Sequence, residues 1–253
     1  MSVPALELKF QVHGFDCGYG GPLRTLALAD MLQEAAGEHA ELLDLGKDAM
    51  AASGRTWMLS RTDTRVYRSP REGGTVTVRT WPAATERLFA LRDFMMEDED
   101  GALLAAASYA YLIVDLAARR PLRPEGILPP DLRCERPRAV ESPRYAAEKA
   151  ATGWTESFKE TARTRHIDHN GHVNNAHLIA WLCDAPPSGL RGSGGIAELR
   201  VEFAQEVLEN DTVGAFWAPL PPLAAGDGSA LVRHALELRR GGETCVRGEL
   251  VWR

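Results

Sequence analysis

The chain concentrates its most reactive side chains in one stretch, RHIDHNGHVNNAHLIAWL, which runs from Arg165 to Leu182. The stretch holds four histidines, three asparagines and one aspartate before it becomes apolar. Imidazoles can transfer protons or bind metal ions, and carboxylates and amides can orient an imidazole or hold an oxygen atom. The composition is therefore compatible with a metal site, a catalytic site or a polar turn that begins a helix.

The metal interpretation depends on three histidines, His166, His169 and His172, which are spaced three residues apart. Zinc sites do use closely spaced histidines. However, the predicted helix begins after these residues, so the spacing does not place them on one helical face. No cysteine or carboxylate pair completes a recognisable ligand set, and we predict no metal ion.

The helix-capping interpretation rests on the asparagines and on Gly171. Asn170 and Asn174 suit turns and N-caps because their short amides bond to free backbone N–H groups, and glycine permits a tight turn. This interpretation explains Asn174 and Asn175. It requires neither an aspartate at 168 nor a histidine at 172.

The catalytic interpretation uses Asp168, Asn170 and His172, which alternate across one turn at the N-terminus of the predicted helix. A carboxylate beside an imidazole can orient it and raise its basicity, so that the imidazole can take a proton from water. An amide can hold the water or the substrate, and helix N–H groups can polarise a carbonyl oxygen. Ester or thioester hydrolysis needs these functions.

The elements that must position this turn occur twice along the chain. Each half begins with a strand and a turn, continues with a helix and ends in a run of antiparallel strands, which indicates an internal duplication of one α+β unit. The first half is predicted as strand Leu6–Phe15, turn Asp16–Pro22, helix Thr25–Leu45 stopped by Gly46, and strands Trp57–Val66, Gly74–Trp81, Leu88–Glu97 and Leu103–Asp115. The second half is predicted as strand Glu156–Ile167, turn Asp168–Gly171, helix Asn174–Cys183, and strands Ala197–Phe203, Asp211–Ala218, Ala230–Leu238 and Thr244–Trp252.

The two halves differ at the turn. The first reads DCGYGGP from Asp16 to Pro22, with neither histidine nor asparagine. A polar cluster that served only to start the helix would be expected in both halves, so the difference favours a single active site in the second half. Between the halves, Arg120–Arg144 contains six prolines and is predicted to be a linker or an extended crossing segment.

The composition excludes several classes of function. The chain has 253 residues and a net charge of -6, which argues against nucleic-acid binding. It lacks an apolar run of about 20 residues, and its N-terminus does not read as a signal peptide, so neither a membrane span nor secretion is expected. The four cysteines show no CxxC spacing and are expected to be reduced thiols of a cytoplasmic protein.

The segment from Asp168 to Asn175, followed by an apolar helix with Trp181, is similar to the signature of acyl-ACP thioesterases. Three further segments agree in order with that family: RTWP (Arg79–Pro82), the segment Arg87–Pro124 and VEFAQEVLENDTV (Val201–Val213). The resemblance implies an α+β chain of two tandem hot-dog domains, each an antiparallel sheet wrapped around a central helix, forming a pseudo-dimer. The domains would be residues 1–128, a linker 129–155, and a catalytic domain 156–253.

The resemblance also assigns roles to residues. It implies that Asp168, Asn170 and His172 are catalytic and adds Glu206 from EFAQEV. Some plant members carry cysteine at the next position, where this chain has Val207, so direct activation of water is expected. Asp168 would orient His172, and backbone N–H groups near Gly171–Val173 would stabilise the oxyanion. The expected substrate-binding residues are Gly171, Val173, Asn174 and Asn175 at the turn and Leu28, Met31, Leu32 and Ala35 on the first helix.

The implied reaction is hydrolysis of fatty acyl-ACP to free fatty acid and holo-ACP. It needs no cofactor, because the substrate carries the phosphopantetheine of its carrier protein. The partner would be acyl carrier protein, and the chain would be a monomeric pseudo-dimer or a homodimer. Two alternatives stay open, an acyl-CoA thioesterase and a non-catalytic acyl-binding protein. Candidate basic patches for carrier docking are Arg119, Arg120 and Arg123, or Arg133, Arg136, Arg138 and Arg144.

Overall fold

The computed structural model describes residues 3–129, 132, 134–141, 151–192, 194–224 and 230–253. One compact unit comprises Met1–Leu23, Asp30–Thr62 and Tyr67–Pro143, and the other comprises Arg24–Ala29, Asp63–Val66 and Arg144–Arg253. The helices are α1 (Thr25–Leu42), α2 (Lys47–Ala52) and α3 (Asn175–Asp184). The strands are β1 (Leu6–Gln11), β2 (Arg55–Val66), β3 (Thr75–Glu86), β4 (Phe89–Glu97), β5 (Leu103–Asp115), β6 (Arg120–Leu122), β7 (Thr155–Thr161), β8 (Ile196–Phe203), β9 (Thr212–Ala224), β10 (Ala230–Arg240) and β11 (Glu243–Trp252).

The sheet of the first unit has the strand order β1-β3-β4-β5-β2, with β6 beside β5. The predicted strand from Leu103 to Asp115 is confirmed without a change of boundary. A turn joins β4 to β5, where the Asp98 carboxylate accepts hydrogen bonds from the N–H groups of Asp100 (3.1 Å) and Ala102 (2.8 Å). Alternation along β3 and β4 buries Val76, Val78, Phe94 and Met96.

Helix α1 contributes buried Met31, Leu32 and Ala35 to the first half of the molecule. The helix also contacts β4 through a polar pair, in which Arg92 Nη1 donates to His39 Nδ1 over 2.9 Å. Burial and the neighbouring Arg92 charge lower the pKa of His39 to about 4. The imidazole is therefore neutral at physiological pH and can accept this hydrogen bond.

The end of α1 differs from the prediction. The helix ends at Leu42 rather than Leu45, because the Leu45 N–H bonds back to the Ala40 carbonyl (2.9 Å) while Asp44 takes a positive φ of 55°. This closing pattern usually places glycine at the left-handed position, and aspartate there gives little sequence signal. Gly46 does not stop α1 but is the N-cap of α2, a helix that was not predicted from the sequence.

A buried carboxylate anchors the proline-rich segment to the first unit. Asp93 is fully buried and accepts hydrogen bonds from Arg138 Nε (2.7 Å), Ser108 Oγ (2.7 Å) and the Ala139 N–H (2.8 Å). The start of the segment predicted as a linker or an extended crossing segment forms β6, which pairs with β5. The predicted linker residues 130, 131, 133 and 142–150, and hence Arg133 and Arg144, lie outside the described residues, and the domain limits at 128 and 156 stay predictions.

The sheet of the second unit has the order β8-β11-β10-β9-β7. Helix α3 packs against β9, β10 and β11. Its side chains Ala176, Ile179 and Leu182 are buried in the same hydrophobic core as Leu236 and Leu250 of the sheet. A helix on one face of an antiparallel sheet buries the apolar side of both, so the turn that precedes α3 is fixed against a packed core. None of the helices within the described ranges is long and apolar enough to cross a membrane.

Candidate active site

The turn before α3 is closed by backbone hydrogen bonds. The Asp168 N–H donates to the His172 carbonyl (2.8 Å), and the Gly171 N–H donates to the Asp168 carbonyl (3.0 Å). Ile167 and Val173 form a β-bridge across its base. Gly171 has a φ of +82°, in the left-handed region that favours glycine. The backbone therefore forms a small fixed loop that presents the side chains of residues 168–172.

Substituting alanine for Gly171 tests this geometry. No atom lies within 4 Å of the added Cβ, so the cost would come from φ alone, about 1 kcal/mol of unfolding free energy. Gly37 in α1 is the matched control, because its Cβ would also meet nothing and its φ is not positive. Gly37→Ala should stabilise the protein by about 0.5–1 kcal/mol. Denaturant unfolding checks both values, and equal shifts for the two variants would contradict the account.

His172 and Glu206 are brought together from segments far apart in sequence. His172 Nε2 lies 3.2 Å from Glu206 Oε2, and the two side chains are 34% and 46% exposed. The segment that carries Glu206 is held beside the turn, because the Val173 N–H donates to the Val207 carbonyl (2.8 Å) and His172 forms a β-bridge with Leu208. The pair is accessible to a substrate and is anchored by backbone contacts on both sides.

Asp168 and Asn170 occupy the same turn and are hydrogen-bonded to each other. Asp168 Oδ1 accepts hydrogen bonds from the Asn170 N–H (2.8 Å) and the His172 N–H (3.5 Å). Asn170 Nδ2 donates to Asp168 Oδ2 (3.4 Å). The expectation that Asp168 orients the His172 imidazole is corrected, because its short side chain is engaged by backbone N–H groups of its own turn. The carboxylate that contacts the ring is Glu206.

The expected oxyanion site near Gly171–Val173 also needs correction. The N–H groups of Gly171 and Val173 donate to the carbonyls of Asp168 and Val207, so neither can bind a substrate oxygen in this geometry. Asn174 is the N-cap of α3, with its side chain accepting from the Ala176 N–H (2.9 Å), which confirms the capping interpretation for this residue. Asn175 follows as the first helical residue, and its N–H has no hydrogen-bond acceptor within the described part of the chain.

The remaining histidines of the stretch are not part of the pair. His166 is buried, its Nδ1 accepts from the Arg163 N–H (3.1 Å), and its ring meets those of His177 and Trp181 edge-on. Burial lowers the pKa of His166. His169 is exposed on the turn. Over the ranges that the structure describes, no three His, Cys, Asp or Glu side chains are grouped to hold a metal ion.

The thiols and the residue at position 207 bear on whether a cysteine could act as nucleophile. All four cysteines are buried. Burial and the nearby Asp184 raise the pKa of Cys183 to about 12, and this thiol packs in the hydrophobic core. Val207 is 1% exposed and packs in the hydrophobic core of the second unit. Its side chain is therefore directed away from solvent, unlike that of Glu206.

The substrate-binding residues expected on α1 are mostly core residues. Met31, Leu32 and Ala35 are buried, and Leu28 is half-buried. A helix that packs on a sheet needs such residues whether or not it lines an acyl pocket, so their role in binding stays a prediction. Among the arginines expected to dock a carrier protein, Arg138 is bonded to Asp93 and Arg136 lies over the Trp81 ring. Arg138 is therefore engaged in a structural ion pair, whereas Arg136, Arg120 and Arg123 are exposed, and a role for these exposed arginines in docking stays a prediction.

The corresponding turn of the first half has the same backbone hydrogen bonds without the polar side chains. The Gly18 N–H donates to the Pro22 carbonyl (2.8 Å) and the Gly21 N–H to the Gly18 carbonyl (3.0 Å). The Leu23 N–H donates to the Pro70 carbonyl (3.1 Å), as that of Val173 does to Val207. The turn and the helix after it can therefore form without Asp168, Asn170 and His172, which supports the inference that these residues serve chemistry rather than folding.

Comparison with known proteins agrees with this architecture. Over 97% of this chain, a chloroplastic palmitoyl-acyl carrier protein thioesterase of Cuphea hookeriana is 27% identical, and the chain spans 61% of that relative. An acyl-ACP thioesterase from Bacteroides thetaiotaomicron superposes with a TM-score of 0.82 at 24% identity, covering 98% of this chain and 97% of that one. A 12:0-ACP thioesterase from Umbellularia californica gives 0.77 at 22% identity, covering 98% and 94%.

These structural likenesses confirm the predicted fold, two tandem hot-dog domains. The family models agree with the sequence resemblance. That of the acyl-ACP thioesterase N-terminal domain matches residues 5–127, and that of the C-terminal domain matches residues 150–253. Together these matches cover most of the chain, which belongs to the acyl-ACP thioesterase family.

Proposed function

We propose that this protein hydrolyses fatty acyl thioesters carried on acyl carrier protein, releasing free fatty acid and holo-ACP. The observation that carries the proposal is the 3.2 Å contact between His172 Nε2 and Glu206 Oε2, beside the N-terminus of α3. A carboxylate paired with an accessible imidazole is a general-base device, and hydrolysis is the chemistry that such a base and water can perform. The family, and relatives named as acyl carrier protein thioesterases, support the carrier as acyl donor.

The 3.2 Å contact supports one arrangement of the protons on His172. Glu206 Oε2 can only accept while ionised, so Nε2 carries the proton of the neutral ring and Nδ1 keeps its lone pair. Nδ1 then takes a proton from water as the water oxygen bonds to the thioester carbonyl carbon. The Glu206 carboxylate stabilises the resulting imidazolium. When the C–S bond breaks, the imidazolium returns the proton to the thiolate, so that the products are carboxylic acid and thiol.

Two groups remain for the developing oxyanion and the attacking water. The Asn175 N–H lies in the first turn of α3, where the helix dipole favours negative charge, and we assign it to the oxyanion. Asn170 is held by Asp168 through its backbone and its side chain, and its carboxamide would position the water or the substrate carbonyl. The reaction uses side chains, backbone and water, and it requires no cofactor beyond the phosphopantetheine of the substrate.

We propose no covalent acyl-cysteine intermediate, because position 207 is a buried valine and all four cysteines are buried. A buried thiol with a raised pKa, such as Cys183, supplies little thiolate for attack. The unpaired thiols also support a location in a reducing compartment, which we propose is the cytoplasm.

The carrier is tested by comparing one acyl chain on two donors. We expect kcat/KM for acyl-ACP to exceed that for the corresponding acyl-CoA at least tenfold, with free fatty acid as the measured product. Equal or faster turnover of acyl-CoA would replace the proposal with the acyl-CoA alternative. Binding of acyl-ACP without release of fatty acid would indicate a non-catalytic acyl-binding protein.

A further inference from the structure

The segment from Ala204 to Asp211, which carries Glu206, is held by the last residue of β10. Arg240 Nη1 donates to the Glu206 carbonyl (3.2 Å), and Arg240 Nη2 donates to Gln205 Oε1 (3.4 Å). The same guanidinium forms an ion pair with Asp211. Asp211 Oδ2 also accepts from the Leu208 N–H (2.9 Å). The Arg240 side chain thus bonds residues near both ends of the segment. It also bonds the backbone carbonyl of Glu206, whose carboxylate is proposed to be catalytic.

The other backbone contacts of the segment show which part of it Arg240 holds. The Ala204 and Gln205 N–H groups donate to the Cys245 carbonyl (2.8 and 3.0 Å), and the Val207 carbonyl accepts from Val173. Between these anchors, the Glu206 carbonyl is bonded by Arg240. The ion pair raises the pKa of Arg240, so its charge is fixed throughout the working pH range. Rotation of the Glu206 peptide would break this contact and would move the carboxylate relative to His172.

We propose that Arg240 is a positioning residue, which holds Glu206 at hydrogen-bonding distance from His172 through the Glu206 carbonyl and Asp211. The effect of Arg240 on catalysis rests on the proposed hydrolase function. Its effect on the position of Glu206 does not depend on that function. The planar guanidinium reaches the carbonyl, the carboxamide and the carboxylate at once, which a lysine ammonium on a flexible chain cannot reproduce. Arginine at the end of a strand is usually a solvated residue, so this role could not be predicted from residue type.

For the catalytic readout, Arg240→Ala should lower kcat about 10–100-fold and leave KM within about threefold, because a displacement near 1 Å at a catalytic group costs about this much. The kcat of Arg240→Lys should lie between those of the wild type and Arg240→Ala, because lysine can keep the ion pair with Asp211 but loses the contact with the Glu206 carbonyl. The matched control is Arg163→Ala. Arg163 is exposed and its Nη1 donates to Asn210 Oδ1 (3.3 Å) in the same segment, away from Glu206. This control should keep the wild-type kcat.

For the geometric readout, the His172 Cε1–H resonance is followed by NMR and assigned by its loss in His172→Gln. Arg240→Ala should shift it in the same direction as Glu206→Gln, while Arg163→Ala leaves it in place. An unshifted resonance in folded Arg240→Ala, or a shift without any loss of kcat, overturns the proposal. If Arg240→Ala does not fold, Arg240→Lys decides by the same criteria. Absence of thioester hydrolysis in the wild type refutes the proposed function, and the resonance still decides the geometry.

Discussion

Glu206→Gln should lower kcat for acyl-ACP hydrolysis by about 10²–10⁴-fold, with KM changed only a few-fold. Glutamine has the size of glutamate and can still accept a hydrogen bond from His172 Nε2, but it has no charge to stabilise the imidazolium. The variant therefore loses stabilisation of the transition state, which lowers kcat, while substrate binding is largely kept. Steady-state kinetics with one acyl-ACP at several concentrations separates the two parameters.

Glu209→Gln is the matched control for this experiment. Glu209 lies on the same exposed segment, but its carboxylate accepts from Thr164 Oγ1 (2.6 Å) instead of facing His172. We expect wild-type kinetics for this variant. Comparable losses in Glu206→Gln and Glu209→Gln would mean that the segment tolerates no change of charge, and the assignment of Glu206 would fail.

Asp93→Ala should lower the free energy of unfolding by about 3 kcal/mol, the largest stability effect that we expect from one side chain outside the active site. The carboxylate is fully buried and accepts from two nitrogens of Arg138, from Ser108 and from the Ala139 N–H. Its loss leaves these buried donors without their acceptor. The Arg138 side chain is 26% exposed and can recover some hydration, so we expect the lower end of the range for broken buried pairs.

Denaturant unfolding followed by circular dichroism measures this loss. Glu7→Ala is the comparison, because Glu7 pairs with Arg79 through a side chain that is 53% exposed, and surface pairs contribute about 0–1 kcal/mol. The Asp93 account is wrong if the two variants unfold at the same denaturant concentration. An Arg138→Ala variant and the double variant should show strong coupling between Asp93 and Arg138.

The sequence predicted the elements that depend on repeated patterns. Strand β5 is a long apolar run ended by a turn, and α3 is a short apolar helix between an asparagine cap and two prolines, so their positions are readable from residue types alone. The duplication was visible because the order of elements repeats. By contrast, tertiary contacts or a left-handed aspartate determine α2, β6 and the end of α1. Such features produce no periodic pattern of apolar residues in the sequence.

Residue types were a better guide to the active site than to its hydrogen bonds. Grouping Asp168, Asn170 and His172 at a helix N-terminus follows from one local motif, and the structure does place them in one turn. The direction of the Asp168 carboxylate, toward backbone N–H groups and not toward the imidazole, depends on turn geometry that side-chain identity does not specify. Glu206 came from the family resemblance, because its approach to His172 requires a long-range contact between segments.

The most direct test of the account is a double-mutant cycle on acyl-ACP hydrolysis with His172→Gln, Glu206→Gln and the double variant. If the two side chains act as one catalytic unit, the double variant should be no slower than the slower single variant, because either change alone already disables the pair. Single variants that retain the wild-type rate, or losses that multiply in the double variant, would contradict the central claim.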